Sequence, residues 1–132
     1  MGLVASYEGA HGTLRVLKPR RGVVVMTLVG VDAGEMGRAP FVALEEDLEG
    51  GPIEIFIDAS HGRSDSAAVS GEWAMFFQEH RARIPRVTLL TSPRLPETSP
   101  ELVRSYGLLE DRLQILTDAA EFERRLDARL RS

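Results

Sequence analysis

Ile53-Glu54-Ile55-Phe56-Ile57-Asp58 is the stretch on which the fold turns. It is short, β-branched and aromatic, and it ends on an aspartate, so it reads as a strand rather than a helix. Immediately before it, Gly50-Gly51-Pro52 terminates a helix spanning 35–49. In that helix Phe41, Leu44 and Leu48 recur at i, i+3 and i+7, while Glu45, Glu46 and Glu49 face water. After it comes a polar connection, 59–66, and then the strongest helical pattern of the chain, 67–83. Val69, Trp73, Phe76, Phe77, His80 and Ile84 form a broad apolar stripe there, and Pro85 ends it. Helix, strand, helix around one apolar segment is the repeating unit of an α/β fold.

Working outward extends the pattern both ways. Upstream, 13–18 alternates with Leu14, Val16 and Lys18 on one face, 19–22 forms a turn, and 23–29 is a β-branched run bounded by Gly30. These two segments read as a hairpin whose second strand, apolar on both faces, lies centrally. Downstream, 86–91 is a short strand and 92–100 a proline-rich loop. A helix then starts at Ser99 and Pro100, buries Leu102, Val103 and Tyr106, and stops at Gly107. Leu113-Gln114-Ile115-Leu116 is the last strand. Asp118 and Glu121 form a capping box for a final helix carrying Ala119, Phe122, Leu126 and Leu130 inward. Glu121–Arg125 and Asp127–Arg131 are i,i+4 pairs on its wet side. The expected order is ββαβαβαβα: an N-terminal β-hairpin, then strands and helices in alternation around a largely parallel sheet. Residues 1–12, glycine-bearing and without period, read as a flexible N-terminus, and 13–132 as a single domain.

Composition narrows the function classes. At 132 residues and 43% hydrophobic, the chain is one self-sufficient globule. Its 20 acidic residues outweigh 16 basic ones, which argues against nucleic-acid binding. Lys18 is its sole lysine, so no P-loop or Schiff-base lysine exists elsewhere. With no cysteine and with His11, His61 and His80 dispersed, neither a metal nor a cofactor is expected. No apolar run reaches membrane-spanning length. The first twelve residues lack the basic start and apolar core of a signal peptide, so the chain reads as cytoplasmic.

Three segments carry a family resemblance. Leu28-Val29-Gly30-Val31-Asp32 is similar to a shortened L-x-G-x-L-D turn. Ile55 to Ser60 is similar to a strand ending in D-L-S, followed by Asp65-Ser66-Ala67-Ala68-Val69 where the family has D-S-S-G-L. Tyr106-Gly107-Leu108 stands where it has S-G-L. Together, over roughly 13–130, they resemble the STAS domain of bacterial anti-sigma factor antagonists. The connection from Asp58 to Asp65 is about one residue shorter than in that family, and Ala67 and Ala68 replace its second serine and its glycine. The resemblance implies a STAS-like mixed sheet and a regulatory, non-catalytic domain that associates with an anti-sigma factor or serine kinase-like partner. It also implies phosphorylation of the serine at position 66.

The residues themselves leave that last point open. Ser66 at a helix start is the control residue by resemblance, yet a serine there also serves as a plain N-cap. Added phosphate would meet free N–H groups and the positive end of the helix dipole. Asp32, Asp58, Ser60, Asp65 and Trp73 complete the expected switch region and partner surface. Asp32, Asp58 and Asp65 lie where open sheets bind ligands, but a receiver domain needs a second acid after its first strand and a late lysine. Asp58, Ser60 and His61 do not make a hydrolase site, because neighbours in one turn rarely place a base behind a nucleophile. No catalytic residue is expected. The other function class is a small-molecule or lipid-binding module using a cleft beside the Trp73 helix. The partner's identity and the oligomeric state, a dimer included, stay open.

Overall fold

In the computed structural model the described residues are 3–8, 12–32, 39–64, 75–90 and 112–131. Six strands form one sheet in simple chain order. They are β1 (Leu3–Glu8), β2 (Gly12–Arg20), β3 (Val23–Asp32), β4 (Glu54–Ser64), β5 (Val87–Leu90) and β6 (Leu113–Leu116). β1, β2 and β3 pair antiparallel; β3, β4, β5 and β6 pair parallel. Helix α1 (Ala39–Glu49) joins β3 to β4. Residues 75–79 are helical (α2) and are followed by a 3₁₀ turn, Arg81–Arg83, before β5. Helix α3 (Ala119–Arg131) follows β6.

This topology dictates where the core sits. Parallel strands that advance steadily across a sheet put their right-handed crossovers on one face. Phe41, Leu44 and Leu48 of α1 accordingly share a core with Phe76 and Phe77 of α2, over Val16, Val24, Met26, Ile55, Ile57 and Leu89. Odd positions of the same strands, Val23 and Val25, pack with Phe56, Leu90 and Phe122 on the other face, beneath α3. The two faces alternate residue by residue, as the pleat requires. All four residues of β5 are buried because both layers cover it.

The α/β architecture with its N-terminal hairpin stands, and four details differ from the sequence reading. Residues 3–8, placed in a flexible N-terminus, form β1, in register from Leu3 opposite Lys18 to Glu8 opposite Thr13. Short edge strands of this kind are set by a neighbour's free edge rather than by their own period. The hairpin turn is tighter than expected. β2 runs through Pro19 to Arg20, with a register shift between Leu17 and Arg20 that accommodates a residue lacking an N–H. Gly22, at φ 84, makes the reversal. The long helical stripe ends at 79, and Arg83 then donates to the Leu48 carbonyl at the end of α1 (2.7 Å). At α3, Asp118 caps the Ala120 N–H (2.9 Å), but the Glu121 carboxylate is held by Arg124 and Arg125, and Ala119 is exposed. The expected helix near 100–106 lies outside the described residues.

Candidate functional site

The polar connection expected after Asp58 is instead strand. β4 continues to Ser64 because β3 also continues, to Asp32, and offers it a backbone partner as far as the pair Asp32–Ser64. Backbone hydrogen bonding outweighs the low strand preference of Ser60, His61 and Gly62. β5 stops at Leu90, opposite Asp58. Beyond that rung, among the described residues, β3 and β4 stay paired as far as Asp32 and Ser64.

Asp58 stands at the rung opposite Leu90. From Thr27 to Val29 the partner strand advances two residues, whereas from Asp58 to His61 β4 advances three, so a bulge falls at residues 59–60. A bulge frees a backbone N–H, and the Asp58 carboxylate takes it. Its Oδ1 accepts from the Ser60 N–H at 3.0 Å and from the Ser60 hydroxyl at 2.6 Å. Aspartate is suited to this task because its short side chain reaches a donor two residues on. Both side chains are half-buried.

These contacts decide several sequence-level questions. Asp58 and Ser60 are brought together, but the Ser60 proton points at a carboxylate, with His61 exposed beyond the bulge. Asp32 lies five residues farther along β3 than the rung occupied by Asp58. At about 3.3 Å per residue, that separates their backbones by roughly 16 Å. The register instead places Asp32 beside Ser64, the residue before Asp65 in sequence. Asp65, Ser66 and Trp73 lie outside the described residues.

Among the described residues, two cavities elsewhere have charged walls. One, of about 790 Å³, lies at the amino-terminal edge of the parallel strands, among Lys18, Arg20, Arg21, Asp47, Pro52 and Arg129. The other, of about 510 Å³, runs along α3 between Phe56, Arg86, Thr88 and Arg125. Their arginines are already engaged in part: Arg129 pairs with Glu54 (2.9 Å), Arg125 with Glu121 (2.7 Å), and Arg20 donates to the Leu130 carbonyl (3.2 Å). Under α2 the core is filled, with Phe76 and Phe77 at 6% and 0% exposure.

One cluster escaped the sequence reading. Glu45 on α1 meets Glu79 and His80 at the end of α2, their ligand atoms all within 4.8 Å of one another. The adjacent Glu79 and His80 and the helix carrying Glu45 were visible in the sequence; the packing of that helix against the end of α2, which turns Glu45 from water toward them, was not.

An N-terminal antiparallel meander continuing into a parallel α/β half, with crossover helices on one face and a C-terminal helix on the other, is a STAS-like fold. Among solved structures, the chain is similar to the crystal structure of an anti-sigma factor antagonist from Mycobacterium paratuberculosis. The TM-score is 0.51 at 10% sequence identity, covering 96% of this chain and 95% of that one. No family model and no curated protein matches the sequence. At that identity the likeness is one of fold. No helix among the described residues is long and apolar enough to cross a membrane.

Proposed function

We propose that this chain is a non-catalytic regulatory domain that acts in the cytoplasm by docking onto a protein partner, in the manner of an anti-sigma factor antagonist. The observation that carries the reading is the STAS-like fold, shared over nearly the whole chain with an anti-sigma factor antagonist. Support comes from the Asp58–Ser60 bulge, which shapes the end of β4 directly ahead of Asp65 and Ser66 in sequence. The partner is an anti-sigma factor or a serine kinase-like regulator, and the control residue is Ser66. Phosphate on Ser66 adds about −1.5 to −2 charges at a docking surface selected for the neutral hydroxyl, and desolvating that charge opposes association. The small-ligand alternative needs a cleft beside Trp73, which lies outside the described residues.

The test combines phosphorylation and binding. Incubation with a cognate kinase-like regulator and ATP is expected to place phosphate on Ser66, read by mass spectrometry. Ser66→Asp is expected to keep stability within about 1 kcal/mol, because aspartate caps as well as serine, and to lose partner binding. Ser66→Ala should weaken the cap by about 0.5–2 kcal/mol and keep binding. Equal affinity of the two variants for a confirmed partner, after correction for folded fraction, would retire Ser66 as a switch.

A further inference from the structure

We propose that Glu45, Glu79 and His80 bind a divalent transition-metal ion of the zinc class, joining α1 to the end of α2. The inference is independent of the regulatory reading and rests on how the imidazole is held. The His80 ring lies against Phe76 at 4.7 Å between centroids and 53° between planes, and Phe76 in turn packs on Phe41 at 5.1 Å. Core aromatics therefore set its orientation. Its Nε2 is inaccessible to water and makes no hydrogen bond. Yet it faces two carboxylate oxygens, Oε2 of Glu45 at 3.4 Å and Oε1 of Glu79 at 3.6 Å.

Those spacings suit neither simple alternative. A lone pair on Nε2 directed at two carboxylates is repulsive. A proton there makes an attractive pair, but charge-assisted N–H···O bonds close to about 2.7–2.9 Å. Direct ion pairs elsewhere in the chain do close to that range: Lys18–Asp47 at 2.8 Å, Arg125–Glu121 at 2.7 Å and Arg129–Glu54 at 2.9 Å. A cation between the three groups accounts for the wider gap. Ligand bonds of about 2.0–2.2 Å at tetrahedral angles separate donor atoms by roughly 3.3–3.6 Å, as the two imidazole–carboxylate separations do, and all three donors lie within 4.8 Å of one another.

The donor set selects the ion. One imidazole with two carboxylates suits zinc and its neighbours, whereas magnesium and calcium favour oxygen-only shells with more ligands. Three protein donors leave the fourth position to water. The Glu79 side chain is 71% exposed and free to swing inward, while Glu45, at 33%, sits on α1 and His80, at 23%, lies against the Phe76 ring. Metal binding thus ties together the two helices that cover one face of the sheet.

Chelator-stripped full-length protein titrated with zinc chloride tests the site, by calorimetry and by thermal unfolding. One ion per chain in the micromolar range is expected, with a rise in melting temperature that excess chelator reverses and that magnesium chloride does not produce. His80→Gln and Glu45→Gln should each weaken binding about tenfold or more, since even groups behind the ligands typically contribute about 10–100-fold. Glu46→Gln, on the exposed side of α1, should leave it unchanged. Should the variants fold poorly, the imidazole NMR signals of the wild-type protein decide: His80 must shift on zinc addition ahead of His11 and His61. No saturable binding up to millimolar zinc, or binding that persists undiminished in His80→Gln or shifts only His11 or His61, overturns the proposal.

Discussion

Asp58 shows how much a single short side chain settles. Its carboxylate accepts both the backbone N–H and the hydroxyl of Ser60, so it holds the bulge that lets β4 continue to Ser64. Asp58→Ala leaves a half-buried N–H without its acceptor and should cost about 1–3 kcal/mol. Ser60→Ala deletes only the hydroxyl bond and should cost about 0.5–1.5 kcal/mol. Urea denaturation of both variants checks the order; an equal or reversed ranking would mean that Asp58 does not organise the bulge. A turn role for Asp58 was legible in the sequence, because aspartate followed two residues later by a donor is a local signal. That the turn is a bulge inside a strand was not, because β3 supplies the pairing from some thirty residues away.

At the scale of elements, the two faces of each helix make separable predictions. On α2, Phe76 is buried against Phe41 and Phe77, whereas its neighbour Met75 is 68% exposed. Phe76→Ala should cost about 3–5 kcal/mol, while Met75→Ala should stay within about 0.5 kcal/mol. Similar losses in the two variants would show that the stripe was assigned to the wrong face. On α3, hydrogen bonds from Arg124 and then Arg125 hold the Glu121 carboxyl below the ordinary glutamate range. A lowered folded-state pKa means that its contribution is present above about pH 4.3, the unfolded value, and is lost as pH falls through the depressed one. The contribution is small because the pair is solvent-screened. Wild type and Glu121→Gln should therefore differ slightly in melting temperature at neutral pH and converge in acid. A gap that widens on acidification would contradict the assignment. The 3.6-residue stripes placed Phe41, Leu44, Leu48, Phe76 and Phe122 correctly, since that period follows from helix geometry alone. Glu121 departed from the capping box because two arginines competed for its carboxylate.

For the molecule as a whole, the sheet divides the interior into two cores, one under α1 and α2 and one under α3. The described buried residues of the two faces fall into separate clusters, so their truncations should be independent. Phe77→Leu and Phe122→Leu are each expected to cost about 0.5–3 kcal/mol, and the double variant should equal their sum within about 0.5 kcal/mol. A larger discrepancy in chemical denaturation would mean that the two layers communicate through the strands. By itself the sequence determined the α/β class, the alternation of strands and helices and most of the core, because apolar periodicity and the punctuation by glycine and proline are local properties of the chain. Only the tertiary structure decided that residues 3–8 become an edge strand, that β3 and β4 stay paired as far as Asp32 and Ser64, and that Glu45 meets Glu79 and His80. Each of these depends on a partner distant in sequence, and no local pattern encodes where such a partner will lie.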